Sequence, residues 1–290
     1  MQDPHAINCS ILVVVYNKSL EQSNTLKSMM SFKFKHVNLF VLNNGPCEVK
    51  FEKSFESFLN NLFDSVVLCN QIDNMPLSIA YNRFIELYPK SKKFVILDDD
   101  TILTQSFIDL ISLEDDDCDL RLPRITSLDS DIVHYPVMDD IAVTYDCELS
   151  ISKTISIGSG LVISSSLIEK FYKKKLKPFD EHFALYGVDF SFFRRTWRLR
   201  EQGELFKVYC TSVLYHSLSR VEGDISTNRI RERLYDIALQ ARHYPSFNHY
   251  EIFFKNLIKY TIIGKFSFVF LILKIYFLGF HPRCIKYRNF

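Results

Sequence analysis

Glycine and proline are scarce in this chain, eight and nine in 290 residues, and tryptophan occurs once. That scarcity excludes collagen-like and low-complexity architectures, which depend on those residues. An excess of either charge is also lacking: 35 Lys and Arg stand against 34 Asp and Glu, a formal net charge of +1. No global field therefore points to nucleic acid, and a chain that is 47% hydrophobic is not a disordered one. The seven cysteines are odd in number and never form a CxxC pair. Neither a disulfide framework nor a zinc site is expected, and reduced thiols in a cytosol fit the pattern. A GxxxxGK[ST] phosphate loop is missing, and the opening MQDPHAINCS lacks the basic stretch of a signal peptide.

What is present is an alternation. Short β-branched and aromatic runs, Ile11–Val15, Val37–Leu42, Ser65–Leu68 and Lys93–Leu97, are separated by Leu20–Met30, Phe51–Phe63 and Leu77–Leu87. In the latter, apolar residues recur every three or four positions. This predicts βαβ units, hence an α/β fold with a mostly parallel sheet flanked by helices. Ligands in such sheets bind beyond the carboxyl ends of the strands, so the functional residues should follow the strands. Past Asp100 the alternation loosens. Ile155–Ser164 and Leu205–Leu214 read as strands, Asp189–Arg200 as a helix, Glu114–Asp119 as a solvated acidic loop, and everything from Thr227 as helical with a break at Pro245.

The fourth run, KFVIL, leads straight into Asp98-Asp99-Asp100. Three adjacent carboxylates beyond a buried strand repel one another, and a divalent cation relieves that repulsion. Alternate residues of an extended segment point the same way, so Asp98 and Asp100 can share a cation while Asp99 faces away. Carboxylate oxygens suit Mg²⁺ or Mn²⁺, which commonly bridge to phosphates. The competing reading is a helix N-cap near Gln105, which needs only one Asp. Asp189 opens the predicted helix that carries Arg194, Arg195 and Arg198; an oriented carboxylate there suits a general base, or else a cap. His216 closes a predicted strand, as a ligand or as a structural histidine.

In order and spacing these features resemble glycosyltransferase family 2, inverting enzymes of the GT-A (Rossmann-like) fold, over roughly residues 9 to 220. The likeness is greatest to bacterial rhamnosyl- and galactofuranosyl-type members that build cell-surface polysaccharide such as O-antigen or capsule. The resemblance implies a nucleotide-sugar donor, UDP- or dTDP-linked, and a glycan or polyprenyl-linked oligosaccharide acceptor. It places Val15, Tyr16 and Asn17 where the nucleotide base is cradled, and Asn43, standing where Asp is common, near the base or ribose. Asn82 matches a helical Asn of the family, although the glycine usual before that helix is missing. Asp98-Asp99-Asp100 matches the DxD motif for metal and nucleotide sugar, with His216 completing the metal site. Gly158-Ser159-Gly160 matches the small-residue strand beside the donor sugar, Gly160 included; Phe179-Asp180-Glu181 with Gly187-Val188-Asp189 matches the block whose last Asp is the catalytic base.

The balanced charge hides a basic tail. Between His243 and Phe290 stand seven Lys and Arg against Glu251 alone, a local charge of +6, and 14 of the 42 aromatic residues. Ile262–Phe280 is apolar but carries Lys265 and Lys274, which argues against crossing a bilayer. It fits a helical extension (226–290) lying on the cytosolic face of a membrane, beside a 1–225 catalytic domain. The competing readings are packing on the catalytic domain or on a second subunit. For the whole chain, a nucleotidyltransferase would want a glycine-rich loop after the first strand, and an inactive membrane-bound glycan-binding relative would not need Asp98, Asp100, Asp189 and His216.

Overall fold

A computed structural model describes residues 8–114, 117–128, 130–217 and 227–287. The amino-terminal half alternates as expected: β1 (Cys9–Val15), α1 (Asn24–Met29), β2 (Val37–Asn43), α2 (Lys53–Leu62), β3 (Ser65–Asn70), α3 (Leu77–Leu87) and β4 (Lys93–Asp98). There follow β5 (Thr101–Ile102), α4 (Gln105–Ser112), β6 (Leu120–Ser127), β7 (Val133–Tyr135), β8 (Val137–Met138), β9 (Ile141–Ala142), β10 (Cys147–Glu148) and β11 (Thr154–Ile155). The chain then runs through β12 (Leu161–Ser164), α5 (Ser165–Lys173), α6 (Val188–Glu201) and β13 (Val208–His216). Four helices close it: α7 (Thr227–His243), α8 (Phe247–Ile262), α9 (Phe266–Leu278) and α10 (Pro282–Ile285).

Ten strands form one sheet along the order β10-β13-β6-β12-β4-β1-β2-β3, with β5 on β13 and β7 on β6; β11-β8-β9 form a small second sheet. The β3-β2-β1-β4 half is parallel, in register Val15↔Asn43 and Val14↔Asp98. β1 and β2 are buried along their whole length, as expected of parallel strands covered on both faces. One core cluster holds Ile11, Val13 and Val15 with α1, α2 and α4; the other holds Leu12, Val14 and α3. The second cluster runs on through α5 and α6 into Leu234, Phe253, Phe268 and Ile272 of the last helices. The tail thus shares the hydrophobic core of the sheet, and the 225/226 boundary itself lies outside the described residues.

The expected strand over Ile155–Ser164 is instead a two-residue β11, a loop across Gly158 and Gly160, and β12. Gly160 has φ +95°, and a Cβ there would meet Pro123 and Leu214 at 2.7 and 2.8 Å. Packing and backbone conformation by themselves therefore require a glycine at position 160.

Candidate active site

β4 carries Asp98 to the edge of the sheet, and the start of α1 fixes the turn that follows. Thr25 donates its hydroxyl to the Asp98 carbonyl at 2.5 Å, Ser23 donates to the Asp99 carbonyl at 3.1 Å, and the Thr101 amide donates to Thr25 Oγ1 at 2.9 Å. On the far side, Ser159 Oγ accepts from the Asp98 amide at 3.0 Å and pairs with Thr101 Oγ1 at 2.7 Å. With its backbone held from both sides, the turn has little freedom to relax its charge repulsion. None of the three aspartates is a cap: α4 is capped by Thr104, whose side chain accepts from the Phe107 amide.

Antiparallel pairing of β13 with β5, in register His216↔Thr101, returns His216 to this turn from more than a hundred residues away. Its Nε2 lies 3.4 Å from Asp98 Oδ2 and 3.2 Å from Asp100 Oδ1. Its Nδ1 lies 2.7 Å from the Ser217 carbonyl, an acceptor only, so Nδ1 carries the proton. In the neutral ring Nε2 then presents a lone pair to two carboxylates, and the three ligand atoms lie within 4.8 Å of one another. Asp100 Oδ1 is buried without a hydrogen-bond partner. One nitrogen and two oxygen lone pairs converging around an orphaned buried carboxylate oxygen fit a divalent cation.

The electrostatics carry the same strain. Burial pushes the Asp100 carboxyl up to about 6, and Asp98 and Asp99 add to the rise while His216 and Lys18 oppose it. Burial alone would lower His216, but its contacts with Asp98 and Asp100 outweigh that and raise it. Asp99, in the turn beyond β4 rather than in an extended segment, is held apart from the other two: Lys18 Nζ sits 2.6 Å from its Oδ1, and the Tyr16 amide donates to Oδ2 at 3.3 Å.

A cavity of about 670 Å³ opens over these carboxylates, beyond the carboxyl ends of β1 and β4. Tyr16, Asp98, Asp99, Asp100 and His216 line it, together with Val14, Asn44, Asn74, Tyr186 and residues of α7 and α10 that include Arg229, Arg231, Glu232 and Arg283. Asn44 stands one position past the expected Asn43. Nothing local in the sequence flagged the residues of α7 and α10, because these helices reach the site only through tertiary packing. Arg283 Nη1 donates to Asn74 Oδ1 at 2.6 Å, and Nη2 reaches Glu232 Oε2 at 3.0 Å. The carboxy-terminal segment is thereby tied to the β3–α3 loop.

Other expected donor residues take different places. Val15 is fully buried in the core on the opposite face of β1 from Val14. Asn43 spends its amide on Cys47 O and Asn70 Oδ1, at 2.7 and 2.6 Å, and with Asn17 faces a separate hollow of about 270 Å³. Asn82 is fully buried: its amide donates to Phe179 O at 2.9 Å and its Oδ1 accepts from the Phe179 amide at 3.1 Å. It pins the Phe179-Asp180-Glu181 block to α3 and does not face the cavity. Asp180 is itself a strut, held by Arg195 at 2.9 Å, by the Tyr244 hydroxyl at 2.7 Å and by His182.

Asp189 sits in the first turn of α6, behind the left-handed cap Gly187. It does not line the cavity wall. It lies against Gly158, whose backbone amide donates to it, and within electrostatic reach of Asp98. Burial, reinforced by Asp98, pushes its carboxyl up to about 7 against that hydrogen bond.

Among solved structures, S. aureus TarS 1–349 matches over 95% of this chain and 93% of its own, with 11% identity and a TM-score of 0.54. The same segment in complex with UDP matches over 81% of this chain and 66% of its own, with 12% identity and a TM-score of 0.53. GalNAc-T7 with UDP, GalNAc and Mn²⁺ matches over 83% and 51%, with 12% identity and a TM-score of 0.52. This chain spans 40% of the length of the longer TarS chain. Both proteins are GT-A glycosyltransferases, and the fold here is GT-A. No protein-family model and no curated protein matches the sequence.

Proposed function

We propose that the protein is an inverting glycosyltransferase of the family 2 type. It would move a sugar from a UDP- or dTDP-linked donor to a hydroxyl of a glycan or polyprenyl-linked acceptor in surface-polysaccharide synthesis. The observation that carries the proposal is the convergence of Asp98, Asp100 and His216 in a cavity at the carboxyl ends of β1 and β4. Complexes of GT-A neighbours with UDP, UDP-GlcNAc or UDP and Mn²⁺ support it.

Asp98, Asp100 and His216 would hold Mn²⁺ or Mg²⁺, which when bound neutralises charge on the donor diphosphate. Lys18 and the Tyr16 amide hold Asp99, and through it the β1–α1 turn, beneath the nucleotide. Tyr16 would offer its ring to the base, and Asn44, whose amide nitrogen is spent on Met75 O and Asn74 Oδ1, only its unpartnered Oδ1. In the transfer itself, the acceptor oxygen bonds to the anomeric carbon as the bond to the diphosphate oxygen breaks on the opposite face, which inverts the centre. The acceptor proton would pass to Asp189, the base position that the family resemblance gives; its carboxyl lies against Gly158 behind the cavity wall, and burial pushes it up to about 7. A product assay with UDP- and dTDP-sugars tests this: the wild type transfers sugar, and Asp189→Asn binds nucleotide with turnover lowered at least about a hundredfold. Undiminished turnover in Asp189→Asn would refute the base.

A further inference from the structure

We infer that the α8–α9 hairpin is a docking edge for an anionic lipid bilayer, entered edgewise without being spanned. Each of the two helices has an inner and an outer apolar face. The inner residues, Phe253, Tyr260, Phe268, Ile272 and Ile275, are buried in the core. The outer ones run at helical spacing, Phe254, Ile258 and Ile262 on α8 and Phe266, Phe270 and Phe277 on α9, so each set forms a stripe. Ile262, Phe266, Phe270 and Phe277 are 66 to 78% exposed, and the tip from Thr261 to Ser267 is exposed throughout. Isolated exposed apolar residues are ordinary on a protein surface; two adjoining stripes of Phe and Ile joined at an exposed tip mark an interaction surface.

Charge names the occupant. Lys259, Lys265 and Lys274 flank the stripes, and no ion pair engages them among the described residues. Glu251, the only carboxylate on either helix, is bridged to Lys255 at 2.6 Å. Phe and Ile ringed by lysines suit the boundary between anionic headgroups and acyl chains. The segment Phe266–Ile285 is long and apolar enough to cross by composition, but the break within it and its packing on the core argue against a span. α9 has 13 residues, about 20 Å of helix against about 30 Å of hydrocarbon. It ends at Gly279 in a left-handed cap, and Ile272 and Ile275 hold it in the core. Because α10 follows directly and sends Arg283 to the cavity wall, a docked hairpin would keep that wall near the bilayer surface.

The test is flotation of the full chain with vesicles of POPC and POPG in equal parts, against POPC alone. Binding to the mixed vesicles is expected, with weak binding to POPC. The double variant Phe270→Glu with Phe277→Glu should lose binding by roughly tenfold or more, since it removes buried apolar area and adds like charge to the surface. Lys265→Gln with Lys274→Gln should lower the preference for POPG. Thermal unfolding of each variant, unchanged from wild type, shows that the core face is intact. Equal binding by wild type and the Phe variant would overturn the inference. So would no vesicle binding, whether the stripes stay bare or sedimentation shows them buried between two copies of the chain. None of these readouts depends on transferase activity.

Discussion

Gly158 and Asp189 are fitted to each other: a Cβ at position 158 would fall 2.5 Å from Asp189 Oδ1. The loop before β12 therefore needs a residue without a side chain if the carboxylate is to keep its place and accept from the Gly158 amide. Gly158→Ala should turn Asp189 aside, because the atom it meets is the end of a side chain that can rotate. The expected outcome is a tenfold or greater loss of kcat, about 1.4 kcal/mol or more of barrier, with little change in Tm or nucleotide binding. Unchanged kcat would separate Asp189 from the chemistry.

As the proposed base, Asp189 should also set a pH dependence. A base works deprotonated, so kcat should fall as pH drops through about 7, where this carboxyl titrates. Asp189→Asn should cost roughly a hundred- to ten-thousandfold in kcat. The same variant should be more heat-stable at pH 8 than the wild type. A carboxyl raised in the folded state contributes its stability below its unfolded value near 4 and loses it as pH rises through about 7. Calorimetry at pH 5 and pH 8 reads the difference, which should be larger at pH 8.

Asp180 behaves in the opposite sense. Burial alone would raise it, but His182, Arg195 and Tyr244 hold its carboxyl well below the usual range. Its stabilisation is then complete above about pH 5 and lost on acidification. Asp180→Ala leaves the Arg195 guanidinium without its carboxylate and should cost about 3–5 kcal/mol. Denaturant unfolding at pH 7 should show that loss, and it should shrink toward pH 3.

Much of the amino-terminal half was legible because parallel strands and their crossover helices announce themselves by hydrophobic period, and β1 to β4 fall within a residue or two of the expected runs. Asp98, Asp100 and His216 were legible as motif positions. Their meeting depends on the β13–β5 register, which no local pattern encodes. Asn43, Asn82 and Gly160 were named from motif likeness; the hydrogen bonds and packing that hold them in the fold are long-range contacts that a motif does not encode. The wall built from Arg229, Glu232 and Arg283 was invisible for a different reason. Nothing in a helical pattern says which face will meet a strand terminus some two hundred residues earlier in the chain.

The most direct measurement is thermal unfolding with UDP, dTDP, GDP and CDP, each with Mn²⁺ and with EDTA, for the wild type and Asp100→Ala. A ligand at about a hundred times its Kd adds about 2.7 kcal/mol, a shift of roughly 5 °C in a chain of this size. The account predicts such a shift with UDP or dTDP, dependent on Mn²⁺ and absent in folded Asp100→Ala. No shift with any nucleotide, or a shift that survives both EDTA and Asp100→Ala, would contradict it.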